Sequence, residues 1–268
     1  MRPIAVDISS LRASRDLRLL VLGNLVSGLG TQAALVALPY QLYVETGSAF
    51  LTGLLGAVEL APLISMALLG GAIADRFDRR KLLLLDQIAL VATAGGLAAL
   101  AFAGSPPIVL LYALGGLLAG FGAIQNVARS AIIPNLVDPA HLRSALALNF
   151  GLFQLTHVIG PGLGGLLIGA LGVGPVYALD AVSCLALVAA VAAMRPQPPQ
   201  ASPGPVAGIL ASIGEGLRSV RSNQPLMGSF AIDLMAMTFG MPRALFAVLS
   251  LDVYGAGAEG TGLLYAAV

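Results

Sequence analysis

Few side chains in this sequence can take part in proton transfer or polar binding, and the most informative ones lie inside long apolar stretches. Glu59 is the clearest case, because it stands in a hydrophobic run that extends from residue 49 to residue 74. A carboxylate that faces lipid is strongly unfavourable, so Glu59 is expected to face protein or water. Two interpretations stay open: a group that carries a proton or contacts a substrate, and a structural carboxylate hydrogen-bonded between helices.

Polar and small residues also recur at helical spacing near the amino terminus. They occupy positions i, i+3, i+4, i+7 and i+8 of one apolar run, and they are Asn24, Ser27, Gly28, Thr31 and Gln32. This spacing places them on one face of an α-helix. The stripe is therefore predicted to face protein or a water-filled pathway and not lipid.

The other candidates for a proton or substrate pathway are Asn126, Arg129, His157, Asp233 and Arg243. Asn126 and Arg129 share a helix face, and Arg129 either joins the pathway or extends its charged end to the membrane surface. His157 can titrate near neutral pH and join a relay, or it can serve in packing through a hydrogen bond. Asp233 and Arg243 are ten residues apart, about 15 Å along a helix, so they cannot pair within it.

The composition identifies a membrane protein. Of the 268 residues, 57% are hydrophobic and only 10% are charged, whereas a soluble domain has about 25% charged residues. The net charge of +1 gives no support to nucleic-acid binding. The sequence has no phosphate-binding loop, no spaced metal ligands and no nucleophile–base signature, so we predict no enzyme activity, no cofactor and no metal site.

Apolar runs of about 20 residues predict membrane-spanning helices. They lie at residues 17–44, 49–74, 82–103, 107–131, 143–171, 175–194 and 226–250, and an eighth begins near Gly260. The sequence ends at Val268, before an eighth helix could cross a bilayer. We therefore expect a fragment that lacks the carboxy-terminal half of a larger fold.

These runs predict three parts: a six-helix bundle at residues 1–194, a linker at 195–225 and the incomplete start of a second bundle at 226–268. Residues 195–205 contain five prolines, which favour an extended, solvated chain. Apolar residues at helical spacing between 209 and 220 predict a short helix on the inner membrane surface. The alternative is a solvated helix packed on loops.

Basic residues predict the orientation of the chain in the membrane. Thirteen of the fourteen lysines and arginines precede the first span or lie after the second, fourth and sixth spans, and Arg243 is the exception. Cytoplasmic loops are enriched in these residues. We therefore predict a multi-pass protein of the inner membrane with a cytoplasmic amino terminus.

Two short stretches have an unusual composition: one is rich in charged residues and the other in glycine. Residues 71–81, GAIADRFDRRK, are predicted to form a tight cytoplasmic loop between the second and third spans. In the fifth span, GPGLGG contains Gly160, Pro161, Gly164 and Gly165. The pairs Gly160/Gly164 and Gly165/Gly169 predict the close approach of another helix, and the proline predicts a bend.

The whole arrangement resembles the major facilitator superfamily. Residues 71–81 are similar to its loop signature at Gly71, Asp75, Arg76, Arg79 and Arg80, although Asp78 stands where that pattern most often has glycine. The GPGLGG stretch resembles the fifth-helix signature of proton-coupled drug antiporters, and Arg129 resembles their fourth-helix arginine. Residues 126–134 and 142–165 are most similar to the enterobactin-exporter-like branch.

This resemblance implies an all-α membrane fold in which two six-helix halves expose a central site alternately to the two sides of the membrane. It also implies that Asp75 acts as a conformational switch, holding a helix of the opposite half and favouring the outward-facing state.

We therefore predict a secondary active transporter that exports a small organic molecule, such as a siderophore or an amphipathic drug, in exchange for protons. Its partners would be the substrate, protons, the lipid bilayer and the missing carboxy-terminal half. The alternative is a truncated membrane protein or partner subunit that has a structural role and transports nothing.

Overall fold

The structure is a computed structural model that describes residues 9–104, 106–198, 218, 220–239 and 243–268. Within these ranges the surroundings of some residues also lie outside the described part, among them Gly71 and the side chains of Asp75, Arg76 and Asp233. The helices are α1 Ser9–Ala13, α2 Arg15–Thr46, α3 Ala49–Arg76, α4 Arg79–Ala103, α5 Ile108–Leu136, α6 Leu142–Leu171, α7 Val173–Ala192, α8 Gln224–Phe239, α9 Phe246–Val248 and α10 Gly257–Ala266.

Six of the described helices, α2 to α7, are long and apolar enough to cross a membrane. Their outward faces present large apolar side chains, such as Phe50 and Val109, which are 75% and 76% exposed. A soluble protein would not leave so much apolar surface uncovered, so these faces suit contact with lipid. The all-α membrane fold predicted from the sequence is confirmed.

Polar caps and glycines define where the long helices begin and end. The backbone amide of Leu17 donates to the Ser14 hydroxyl at 3.2 Å at the start of α2, and that of Leu51 donates to Ser48 at 3.3 Å at the start of α3. Gly47 ends α2 with a φ of 61°, a left-handed conformation that glycine adopts at little cost.

The helices α2 to α7 pack as one bundle in which α2 lies against α6 and α7. Helix α3 packs on α5, and α4 packs on α5 and α7. Two large clusters of buried apolar residues fill the bundle, one around Leu38, Leu97 and Tyr177 and one around Leu20 and Leu187. The interior of the bundle therefore consists mainly of packed apolar side chains, with some buried polar groups among them.

The connection between α3 and α4 is shorter than predicted. Residues 71–81 were expected to form a loop, but α3 continues to Arg76 and α4 begins at Arg79. Asp78 is the reason, because its carboxylate accepts hydrogen bonds from the backbone amides of Arg80 at 2.9 Å and Lys81 at 3.2 Å. An aspartate at this capping position starts a helix immediately, which explains its presence where the superfamily pattern has glycine.

The predicted seventh helix also differs from the structure. Residues 226–250 were expected to form one helix, but α8 ends at Phe239, and from Arg243 the chain continues in 3₁₀, α and π turns to Val253. Residues 240–242, between these two segments, lie outside the described residues. The predicted proline-rich linker and surface helix fall almost entirely outside the described residues.

Glycines of α6 make two close helix contacts. A Cβ atom added at Gly164 would lie 2.7 Å from Cα of Ala33 in α2, and one added at Gly165 would lie 2.8 Å from Cα of Gly262 in α10. Gly160 likewise leaves room for Gln32, and Gly169 leaves room for Glu259. The predicted close approach is present, and it involves two partner helices.

Candidate functional site

The polar stripe of α2 faces α6 and α7. The Thr31 hydroxyl donates to the carboxylate of Asp180 in α7 at 3.0 Å, and the Ser27 hydroxyl lies 3.5 Å from Sγ of Cys184. Asp180 and Cys184 are both buried. These contacts join α2 to α7 through hydrogen bonds and give Asp180, in an apolar surrounding, the donor that a buried carboxylate requires.

The stripe also reaches α6 through Gln32. Nε2 of Gln32 lies 2.7 Å from Nε2 of His157, and the His157 ring lies 4.2 Å from that of Phe153, between centroids. Cζ of Arg129 in α5 lies 4.8 Å from the same Phe153 ring, a cation–π distance. Gln32, His157, Phe153 and Arg129 therefore form a continuous row of side chains across three helices.

Arg129 also borders a small polar pocket between α2, α5 and α6. Asn24, Asn149, Arg129 and Phe153 contribute to its walls, and its volume of about 10 Å³ gives room for about one water. The guanidinium donates to Oδ1 of Asn126 at 2.7 Å, while its Nε and both polar atoms of Asn24 are buried without a partner in the described structure. The pocket thus presents unused hydrogen-bonding groups.

Glu59 of α3 is half-buried and faces α5. Its Oε1 would lie 3.5 Å from a Cβ added at Gly115, so the absence of a side chain at that glycine makes room for the carboxylate.

The structure therefore groups most of the predicted pathway residues. Gln32, His157 and Arg129 lie in one row, Asn126 bonds to Arg129, and Asn24 lies in the wall of the same pocket. Thr31 bonds instead to Asp180 of α7, and Glu59 faces α5. Arg243 is exposed. Of Asp233 the structure describes only the backbone, so its predicted role is untested.

Sequence reasoning missed two tyrosines. The ring of Tyr265 lies 5.1 Å from that of Phe246, between centroids, and Tyr43, near the end of α2, donates its hydroxyl to the carboxylate of Asp252 after α9. Neither residue belongs to the polar stripe of α2 or to a glycine motif, so no pattern marked them. Only the packing of α10 and of the turns after α8 on the bundle brings them to these partners.

Two residues of the predicted loop signature bind helix ends. Nη1 of Arg79 donates to the carbonyl of Ala131 at 2.8 Å and to Oδ1 of Asn135 at 2.9 Å, both near the end of α5. Arg80 donates to the carbonyls of Val191 at 3.0 Å and Ala192 at 2.6 Å, at the end of α7. All four acceptors lie in or next to the last turns of their helices, where the cations complement the negative end of the helix dipole.

Six helices that are long and apolar enough to cross a membrane, packed together with buried polar side chains between them, define a polytopic α-helical membrane protein. Among the described residues there is no group of three or more histidine, cysteine, aspartate or glutamate side chains that could hold a metal ion.

The sequence matches the family described as transmembrane secretion effector over residues 8–268, and the chain belongs to this family of the major facilitator superfamily. The superfamily predicted from residues 71–81 and from the fifth span is therefore confirmed.

The curated relatives are bacterial exporters. The chain is 29% identical to the enterobactin exporter EntS of Citrobacter koseri and 30% identical to that of Shigella boydii serotype 4, in each case over 98% of this chain and 62% of the relative. The EntS of Salmonella typhimurium is 29% identical over 98% of this chain and 63% of its own length. The chain thus spans less than two thirds of these relatives.

Proposed function

We propose that this chain forms the first half, and the start of the second, of a secondary active exporter of a small organic molecule that works by alternating access. The row from Gln32 to Arg129 carries the proposal, because it brings polar side chains of three membrane-spanning helices together, and α10, from the later part of the chain, packs on one of these helices, α6. A pathway lined from both parts of the chain suits a carrier. In the complete transporter, a second six-helix unit closes this pathway.

The substrate we propose is an oxygen-rich, aromatic molecule such as a catecholate siderophore. The walls of the pocket at Arg129 carry a guanidinium, two carboxamides and the face of Phe153, and the pocket, which has room for about one water in this structure, must open to admit such a molecule. Guanidinium groups bind anionic oxygens strongly, and aromatic rings stack on one another. The relatives named as enterobactin exporters give independent support for this class of molecule.

Proton entry provides the driving force in this proposal, and Glu59 carries the proton. Glu59 stands in a membrane span, where a carboxylate that alternates between protonated and ionised forms couples proton movement to conformation. Among the described residues, none holds Glu59 in a hydrogen bond, in contrast to Asp180.

The arrangement of the contacts supports an inward-facing conformation. Tyr43 with Asp252, and Gly165 with Gly262, join the bundle to the later elements near the ends of α2 and α6 that lie away from the basic loops. We place those basic loops, and the amino terminus, in the cytoplasm. Asp75 then acts in the opposite direction, by stabilising a helix end when the protein faces outward.

The proposal is tested with the product of the complete reading frame in proteoliposomes that contain a pH-sensitive dye. Adding a catechol-containing siderophore should move protons in the wild type, and Glu59→Gln should abolish that movement while substrate binding is kept. Glu45→Gln, which changes an exposed carboxylate at the end of α2, is the matched control. Proton movement that persists in Glu59→Gln would remove Glu59 from coupling, and siderophore binding without any transport would support a structural role.

A further inference from the structure

Helix α4 contains two adjacent polar residues that the pathway does not use. Asp86 and Gln87 lie about 10 Å along α4 from its start at Arg79. They follow the buried Leu83 and precede the buried Leu90, which belong to two different apolar clusters. The carboxylate is therefore placed in the packed interior of the first six-helix bundle, between α5 and α7.

Both side chains are buried by protein, and no lipid is needed to cover them. Asp86 is 4% exposed and Gln87 is 0% exposed. Neither carboxylate oxygen of Asp86 and neither polar atom of Gln87 has a hydrogen-bond partner in the described part of the chain. Four unpartnered polar atoms on adjacent residues are unusual, because buried polar groups are nearly always hydrogen-bonded.

The ionisable side chains of α5 and α7, the helices packed on α4, make their contacts with groups other than Asp86. Tyr112 and Arg129 are the ionisable residues of α5, and they bond to Leu51 and Asn126. Those of α7 are Tyr177, Asp180 and Cys184; Tyr177 donates to Gln41, and the other two contact each other and Thr31. On α4 itself, Arg79 and Arg80 bond to the ends of α5 and α7, and Lys81 is exposed. An ionised Asp86 would thus have neither a donor nor a counter-charge among these groups.

An ionised carboxylate in such a place is strongly unfavourable, and a group so placed takes up a proton and becomes neutral. We propose that Asp86 is a proton-binding site inside the first bundle, separate from the substrate pathway, and that it holds its proton at neutral pH. The neutral acid lets α4 pack between α5 and α7. This site does not depend on the proposed export function.

Infrared spectroscopy of the purified complete protein tests the site directly. With aspartate labelled by ¹³C at the carboxyl carbon, a protonated side chain gives a carbonyl-stretch band that shifts with the label, which excludes Glu59. We expect such a band at pH 7, and we expect Asp86→Asn to lose it. The matched control is Asp180→Asn, which removes a buried aspartate that has its own donor in Thr31. Asp86 is unchanged in this variant, so its band should remain. A spectrum at pH 7 that is the same in wild type and Asp86→Asn would overturn the proposal.

A second variant keeps the test decisive if the asparagine protein folds poorly. Asp86→Leu replaces the neutral acid by an apolar group of similar size, and removing an unpartnered polar group is neutral or stabilising. We expect an unchanged or higher melting temperature in detergent at pH 7. A large fall in melting temperature in Asp86→Leu, together with no labelled band in the wild type, would show that Asp86 is ionised and paired.

Discussion

Helix α6 meets α2 on one face and α10 on another, and glycines allow both contacts, yet the two contacts differ in chemistry. Against α2, the glycines Gly160 and Gly164 lie beside Gln32 and Ala33, and Gln32 also bonds to His157. Against α10, Gly165 and Gly262 bring one backbone directly onto the other. In the described structure no hydrogen bond joins α6 to α10.

This difference shows that the short GPGLGG stretch of α6 takes part in two different kinds of helix contact. A contact with a side-chain hydrogen bond has a preferred register, so α2 and α6 are held within one rigid bundle. A glycine-to-glycine contact relies on close packing alone, with no side-chain hydrogen bond to hold it. The α6–α10 contact is therefore the one that we expect to change in the proposed transport cycle.

The largest effect is expected from Gly164→Leu. The new Cβ would lie 2.7 Å from Cα of Ala33 and 3.2 Å from its carbonyl oxygen, so the backbone of α2 must move. Overpacking of this kind costs about 1–3 kcal/mol, and more where backbone is displaced. We expect loss of monodisperse protein by size-exclusion chromatography in detergent.

Gly151→Leu is the control for that change, since a Cβ added at Gly151 of the same helix meets nothing within 4 Å. If Gly164→Leu gave the same yield and elution profile as Gly151→Leu, the contact between α2 and α6 would not be the rigid one.

The second change, Gly165→Leu, should separate α10 from α6 and leave the six-helix bundle folded. The added Cβ would lie 2.6 Å from the carbonyl oxygen of Ala258 and 2.8 Å from Cα of Gly262. The overpacking at this contact should cost about 1–3 kcal/mol. Spin labels at the exposed Leu166 and Leu263 should therefore report a longer distance by double electron–electron resonance. An unchanged distance would mean that the two glycine contacts respond alike.

The sequence predicted that α6 would approach a helix closely, but not which helices. Gly160/Gly164 and Gly165/Gly169 are each four residues apart, and the two pairs are offset so that they face different directions around the helix. The spacing of the glycines along the sequence is enough to predict these two directions. The identity of α2 and α10 as partners depends on how the whole bundle packs, which a local pattern does not contain.

The same limit applies to the candidate site. The stripe from Asn24 to Gln32 was visible because five polar or small residues share one face. No sequence pattern marks Asp86, because the four leucines before it, Leu82 to Leu85, give the run the character of an ordinary apolar span. Asp78 was seen only as a departure from a pattern, whereas its carboxylate caps α4.

A third prediction concerns the polar contact between α2 and α7, which should resemble the rigid contact of α6. Thr31→Val removes the hydroxyl that donates to Asp180, and an unsatisfied buried acceptor costs about 1–3 kcal/mol. We expect a lower melting temperature. Thr93→Val is the matched control, because the buried Thr93 hydroxyl donates only to the Ala89 carbonyl of its own helix. Equal losses in the two variants would show that the link between helices contributes nothing of its own.

The smallest effect is expected at Asp78, which lies outside both glycine contacts. Asp78→Ala removes the cap of α4 and should cost about 1 kcal/mol, whereas Asp78→Gly should cost only a few tenths. Chemical denaturation in mixed micelles measures both variants, and the spin-label distance between Leu166 and Leu263 should stay at its wild-type value in each. A changed distance would mean that the α3–α4 connection acts on α10 through the bundle, and the α6–α10 contact would then not be an independent, movable contact.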